Sequence, residues 1–332
     1  MIYKTIDLFA GVGGIRLGFD QAGGFETAFA NDFEKNCKTT YDLNFHSSQL
    51  TVADLMDIRS ADLPKYDFLL GGFPCQPFSI AGYRHGFNDR KGRGNLFFKI
   101  AEIIEDTQPQ GFLLENVKNL ATHDSGRTYK IIKETLENLG YTVQSKVLNS
   151  KDYGNVPQNR ERVYIVGFKD KFVASSFKFP AKQELTTELN NFLESQVDDK
   201  YYYNNKPLYS RLKPGVKEKG VVYQWRRQYV RENKSGVCPT LTANMGTGGH
   251  NVPIIKDDKG IRKLTPKECF LLQGFPEAFV LPKDIAVSQL YKQAGNSVTV
   301  PVVKRIATNI RKALELSNVS KRSTKKEYQS IH

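Results

Sequence analysis

Apolar and polar positions fall into blocks along this chain, and the blocks predict its elements before any chemistry is considered. Short, largely apolar runs of the kind that form buried strands cover residues 3–9, 27–31, 66–70, 112–117 and 163–168, with a further strand at 142–148. Segments with helical spacing lie between them, at about 15–22, 33–44, 95–106 and 127–139. In the third of these, Leu96, Ile100, Ile103 and Ile104 mark the apolar face. Strand–helix alternation of this kind predicts an open, doubly wound α/β sheet. From about residue 177 the alternation breaks down. A short helix at 189–193, an aromatic, Asn-rich stretch at 201–209 and a run at 221–230 predict a smaller, β-rich unit. Thr265 then caps a helix, with Pro266 at its first position and Glu268 three residues after the cap. A last helix is predicted at about 301–316, and the basic, Ser/Lys-rich tail from Ser317 reads as disordered.

Composition narrows the class. The 332 residues suit one large or two modest domains, and 39% hydrophobic content supports a sizeable core. No apolar run approaches a membrane span, and Met1 leads directly into a strand, so neither membrane insertion nor a signal peptide is expected. Cys37, Cys75, Cys238 and Cys269 lack metal-ligand spacing, which argues for reduced thiols in a cytosol and against zinc. The net charge of +13 suggests a polyanionic partner, nucleic acid first, although charge also serves solubility. Trp225, Arg226, Arg227 and Arg231 lie among tyrosines, and such interleaving fits a nucleic-acid surface.

Candidate chemistry gathers at predicted strand ends. Gly71-Gly72-Phe73-Pro74-Cys75-Gln76-Pro77-Phe78-Ser79 follows the 66–70 strand and carries Cys75 onto a loop at the rim where α/β sheets bind ligands. Pro74 and Pro77 stiffen that loop. Alone, Cys75 is most simply a buried structural thiol. Glu115, at the end of the 112–117 run, brings an acid to the same rim, and a nucleophile beside an acid makes a site. The Gly-rich turn Ala10-Gly11-Val12-Gly13-Gly14 admits a ligand to the backbone and helix start, and equally suits a nicotinamide cofactor. Asp32 ends the next strand, placed for ribose hydroxyls or to cap the following helix. Gln158-Asn159-Arg160-Glu161-Arg162 sets two arginines on one side of an extended segment, for a base carbonyl and a phosphate or for an ion pair with Glu161.

Pro74-Cys75-Gln76 and Glu115-Asn116-Val117 resemble the two signature motifs of the cytosine-C5 DNA methyltransferases of bacterial restriction-modification systems. The match follows the family's motif order along nearly the whole chain, except for about 190–235 and the tail after about 316. Asp7-Leu8-Phe9-Ala10-Gly11-Val12-Gly13-Gly14 resembles the family's S-adenosylmethionine turn, and Gln158-Asn159-Arg160-Glu161-Arg162 its Gln-x-Arg-x-Arg motif. Pro239-Thr240-Leu241-Thr242 with Gly246-Thr247-Gly248-Gly249 resembles the landmark of its variable recognition region. Lys263 to Cys269 with Gln273-Gly274-Phe275-Pro276 matches the motif framing that region, and Gln293 to Val298 the segment that returns to the amino-terminal domain.

The resemblance implies a methyltransferase (Rossmann-like) catalytic domain at 1–185, a target-recognition domain at 186–285, and a carboxy-terminal segment at 286–332 completing the first. It implies catalytic roles for Cys75, Glu115, Arg160 and Arg162. The cofactor would meet Phe9, Gly11, Gly13, Gly14, Asp32 (ribose, where the family usually has Glu), Phe33 (beside the adenine), Asp54 (adenine amino group), Leu55, Pro74, Leu96, Asn296 and Ser297. DNA would meet Gln76, Ser79, Arg84, Arg226, Arg227, Arg231, Thr240, Leu241, Gly248 and Gly249. The implied reaction adds the Cys75 thiolate to C6 of a flipped-out cytosine, with Glu115 on N3 and the amine and Arg162 on O2, and yields S-adenosylhomocysteine. No metal is implied. Double-stranded DNA is the expected partner, with a restriction endonuclease acting separately and a monomeric enzyme in the bacterial cytoplasm at the nucleoid. The alternatives are a tRNA cytosine methyltransferase, a non-catalytic DNA-binding relative, and a dehydrogenase, which leaves Glu115-Asn116-Val117 unexplained.

Overall fold

The computed structural model describes residues 1–74, 96–247 and 252–330. Its strands in chain order are β1 (Tyr3–Leu8), β2 (Phe25–Asp32), β3 (Leu50–Val52), β4 (Phe68–Gly72), β5 (Gly111–Val117), β6 (Thr142–Asn149), β7 (Gln158–Asn159), β8 (Glu161–Phe168), β9 (Tyr223–Trp225), β10 (Val230–Glu232), β11 (Cys238–Pro239), β12 (Ile254–Lys256) and β13 (Ile261–Lys263). Seven form one sheet in the order β3-β2-β1-β4-β5-β8-β6. All run in one direction except β8, which is antiparallel to both its neighbours. The central strands are apolar because both faces are covered: Ile6, Leu69, Leu70, Leu113 and Leu114 are all fully buried. The reversal of β8 matters for the site. It brings the start of β8 to the rim where β5 ends, with Arg162 opposite Val117.

The two ends of the chain meet. The first helix, Gly14–Ala22, packs on the last, Val300–Ser330, through Ile15 and Phe19 against Val302, Val303 and Ile306. A Cβ on Gly18 would stand 2.6 Å from Val303, so this approach needs glycine. The last helix continues to Ser330, which corrects the expectation of a disordered tail. Residues 302–330 contain neither Gly nor Pro, so no strong breaker stops the helix.

The region after residue 186 adds a separate four-stranded antiparallel sheet, β10-β9-β12-β13, over a small cluster that includes Leu212, Tyr223 and Ile254. Arg262 on β13 is buried and charged. Its Nη1 and Nη2 donate to Glu268 at 2.8 and 2.7 Å, and its Nε to Asp257 at 2.6 Å. Glu268 also closes the expected capping box: its carboxylate accepts from Thr265 N, and its own N–H donates to Thr265 Oγ1. A second small sheet pairs β11 with β7 in parallel, Cys238 beside Gln158.

Candidate active site

The rim is built from the turn after β1, the end of β4, the end of β5 and the start of β8. Gly72 lies opposite Glu115 in the sheet, and a Cβ on Gly72 would stand 3.5 Å from Glu115 Oε2. Asn116 Nδ2 donates to Phe73 O at 2.9 Å, tying β5 to the chain as it leaves β4 for Pro74. Pro74 is exposed. Cys75, Gln76, Ser79 and Arg84 lie outside the described residues, as do Gly248 and Gly249.

Glu115 is 8% exposed, with Oε1 3.1 Å from Arg162 Nε. The contact is an ion pair without an aligned hydrogen bond, since Glu115 Oε1 is buried and accepts from no donor among the described residues. Arg162 instead donates from Nη1 to Glu161 O at 2.9 Å. Burial pushes the Glu115 carboxyl above its ordinary range, while Arg162 and then Arg160 pull it back. The rim thus holds a buried carboxyl oxygen with unused hydrogen-bonding capacity.

The turn at the cofactor position is strained where a ligand would approach. Phe9, Gly11 and Gly13 all have positive φ, at 58°, 55° and 81°. Asp32, 8% exposed, accepts from Gly11 N and Glu34 N, each at 2.8 Å. It therefore fastens the turn to the end of β2 and leads into the helix Lys35–Asn44, whose N-cap is Glu34. Phe33 beside it is 69% exposed, a large apolar ring left uncovered. Asp54 caps a short 3-10 turn by accepting from Met56 N at 3.0 Å. Leu55 is buried and Leu96 partly buried in the cluster that also takes Phe9. Across the turn, Asn296 is exposed, whereas Ser297 Oγ is buried and has no partner among the described residues. A Cβ on Gly14 would stand 2.5 Å from that oxygen, so the carboxy-terminal segment closes directly on the turn. An exposed ring, an anchored carboxylate and an orphaned buried hydroxyl around a Gly-rich turn with room beside Gly11 fit a nucleoside-bearing cofactor.

Two residues expected to meet substrate are turned inward. Arg160 is 2% exposed and points into the protein, donating from Nη1 to Leu241 O at 2.8 Å and from Nη2 to Gly295 O at 3.2 Å and Ser297 O at 2.5 Å. Leu241 is 1% exposed, packed in an apolar cluster, with its N–H donated to Gln158 Oε1 at 3.0 Å. The β7–β11 pairing causes both, because it lays the 238–241 segment along Gln158 and Asn159 and turns its apolar side chain inward. Thr240 Oγ1 is likewise used internally, donating to Asn159 O at 2.7 Å. Arg226, Arg227 and Arg231 are exposed on the β9–β10 hairpin, Arg227 with φ 62° at its tip.

Sequence reasoning missed the buried polar residues that hold these pieces together. Gln158 Nε2 donates to Leu272 O at 2.6 Å, and Gln273 Nε2 to Ala294 O at 2.8 Å. Their only signal was their place inside two motifs, which gives no direction to the side chain. Asp7, fully buried on β1, was also missed as chemistry; among the described residues neither carboxyl oxygen has a hydrogen-bond donor in proper geometry. Among the described residues no group of three His, Cys, Asp or Glu is placed to hold a metal, and no helix is long and apolar enough to cross a membrane.

Comparison with known proteins follows the same lines. The family profile of the C-5 cytosine-specific DNA methylases matches residues 3–312. Among curated relatives, the type II methyltransferase M.Bsp6I of Bacillus sp. (strain RFL6) is 54% identical over 315 residues, 94% of this chain and 99% of that protein. M.HaeII of Haemophilus aegyptius is 43% identical over 331 residues, 99% of this chain and 97% of its own length. Among solved structures, a DNMT2 of Spodoptera frugiperda superposes with a TM-score of 0.73 at 20% identity, covering 93% of this chain and 99% of that one. At that identity the likeness is one of fold.

Proposed function

The chain belongs to the C-5 cytosine-specific DNA methylases and is a DNA cytosine-5-methyltransferase, and from that premise we propose how its own residues carry the reaction. The observation that carries the reading is Glu115: buried, paired with Arg162, and holding an unsatisfied oxygen beside the strand that leads to Cys75. A cytosine inside a duplex cannot reach such a rim, so the base is flipped out of the stack. The Cys75 thiolate forms a bond to C6, and the displaced C5=C6 electron pair makes C5 nucleophilic. Glu115 holds N3 and the exocyclic amine, stabilising charge as it develops at N3, and Arg162 holds O2. Burial, which raises the Glu115 carboxyl above its ordinary range against the pull of Arg162 and Arg160, suits this role, since it favours sharing a proton with N3. Once C5 carries the methyl group, its proton leaves to a base, the Cys75–C6 bond breaks, and aromaticity returns.

The family implies S-adenosylmethionine, which when bound supplies an electrophilic methyl group. The turn at Gly11, Gly13 and Gly14 with Asp32, Phe33, Asp54, Asn296 and Ser297 would hold it, supported by the space beside Gly11 and the uncovered Phe33 ring. Duplex DNA would lie between the rim and the unit at 186–285, with Arg226, Arg227 and Arg231 on phosphates or groove edges. Relatives called type II methyltransferases support a protective role in the bacterial cytoplasm, alongside an endonuclease that cuts the same sequence. Bisulfite sequencing of DNA from cells expressing the chain tests the whole reading. We expect full protection of cytosines within one short sequence, absent with Cys75→Ala. Protection in tRNA alone, or none anywhere, would overturn it.

A further inference from the structure

Arg160 is the residue at which three parts of the molecule come together. Its guanidinium holds Leu241 O from the segment after β11 and Gly295 O and Ser297 O from the segment before the last helix. Those two segments also touch without it. A Cβ on Gly295 would stand 2.2 Å from the carbonyl carbon and oxygen of Thr242, so the two backbones are in direct contact. Ser297 in turn abuts Gly14 of the turn. At the other end, Leu241 N–H is held by Gln158 Oε1, so both backbone groups of Leu241 are gripped from the strand segment that carries Arg160. Arg160 lies close enough to Glu115 to act on its carboxyl electrostatically.

We propose that Arg160 is a positioning residue that couples the cofactor pocket to the segment at 240–243, so that filling the pocket fixes the segment through which the unit at 186–285 is held to β7. It rests on the reading that Ser297 and the Gly-rich turn line that pocket. The physical reason is rigidity. A buried guanidinium whose Nη1 and Nη2 are both on backbone carbonyls, with Nε unpartnered among the described residues, loses charge-assisted hydrogen bonds if either segment moves alone. Contact between the two backbones, with no side chain to adjust, passes displacement directly. Coupling of this kind is reciprocal, so a bound duplex tightens the cofactor by the factor with which the cofactor tightens the duplex.

Amide hydrogen exchange on the full chain with S-adenosylhomocysteine as the only ligand tests this. We expect slower exchange at 11–14 and also at 240–243, although none of the residues proposed to hold the ligand lies in the latter. In Arg160→Lys, whose single ammonium cannot span both segments, protection at 11–14 should persist and the response at 240–243 should vanish. With a duplex carrying the methylated site, the affinity gain for S-adenosylhomocysteine should be about fivefold or more in the unaltered protein and close to none in Arg160→Lys. Protection at 11–14 without any response at 240–243 in the unaltered protein overturns the proposal, even if the variant does not fold. A response at 240–243 that survives Arg160→Lys also overturns it. Protection at neither place removes the cofactor reading, and this proposal with it.

Discussion

Arg162 Nε stands 3.1 Å from Glu115 Oε1 across two antiparallel strands, in a sheet whose other strands all run in one direction. The reversed strand β8 makes this pairing possible, because a parallel strand there would begin at the opposite rim. The carboxylate and the guanidinium therefore stand together before any substrate arrives.

Glu115→Gln keeps the shape of that arrangement and removes its charge. The amide cannot share a proton at N3, and Arg162 loses its counter-charge. We expect single-turnover methylation to slow by about 10²–10³-fold, with S-adenosylhomocysteine affinity changed far less. An unchanged single-turnover rate would remove Glu115 from the mechanism.

Covalent trapping tests the nucleophile. With 5-fluorocytosine at the target, C5 cannot lose its substituent as a cation, so elimination stalls with Cys75 still bonded to C6. We expect a denaturation-resistant protein–DNA adduct, absent in Cys75→Ala and retained in Cys37→Ala, Cys238→Ala and Cys269→Ala. The last three thiols are buried, and burial holds all three well above the ordinary thiol range. An adduct in Cys75→Ala would show that another group attacks.

Gly295→Ala places a methyl group where the Thr242 peptide already is, 2.2 Å from its carbonyl carbon. Backbone cannot rotate away as a side chain can, so we expect a loss of about 1–3 kcal/mol or more, read as a fall in the denaturant midpoint. Gly14→Ala meets the Ser297 hydroxyl instead, at 2.5 Å, and should weaken S-adenosylhomocysteine binding more than stability. Equal thermal stability of Gly295→Ala and the unaltered protein would contradict the close approach.

Asp7 gives a pH dependence with a definite sign. Burial raises its pKa from 3.8 to about 7, against the pull of Arg16. Between those values the folded chain keeps a proton that the unfolded chain has lost. Its stabilising contribution is thus complete below about pH 4 and is lost as pH rises through about 7. Asp7→Asn should flatten this slope and gain stability relative to the unaltered protein at pH 8 more than at pH 5. Parallel stability profiles for the two proteins would show that Asp7 does not titrate in this window.

DNA affinity should fall steeply with salt, given a net charge of +13 and the exposed Arg226, Arg227 and Arg231. Neutralising several phosphates predicts about a thousandfold or greater loss between low and moderate salt. Replacing the three arginines with Ala should shallow the slope. A nearly flat response in the unaltered protein would count against a phosphate-dominated interface.

The sequence by itself determined what depends on neighbours in the chain. Apolar runs located the central strands, the Thr265–Glu268 pair fixed a helix start, and the glycines marked the turn after β1. Each follows from side-chain period, capping or backbone sterics within a few residues. The motif residues Glu115 and Arg162 were legible by type, yet that they meet depends on β8 running backwards. The direction of Arg160 and Leu241 was not legible at all. An arginine and a leucine beside recognition motifs look like ligands for DNA, whereas the fold turns both inward. The carbonyls that Arg160 reaches lie 81, 135 and 137 residues away in sequence. No local pattern encodes such a separation; packing of the last helix on the first, and of β11 on β7, sets it, and only the tertiary structure decides it.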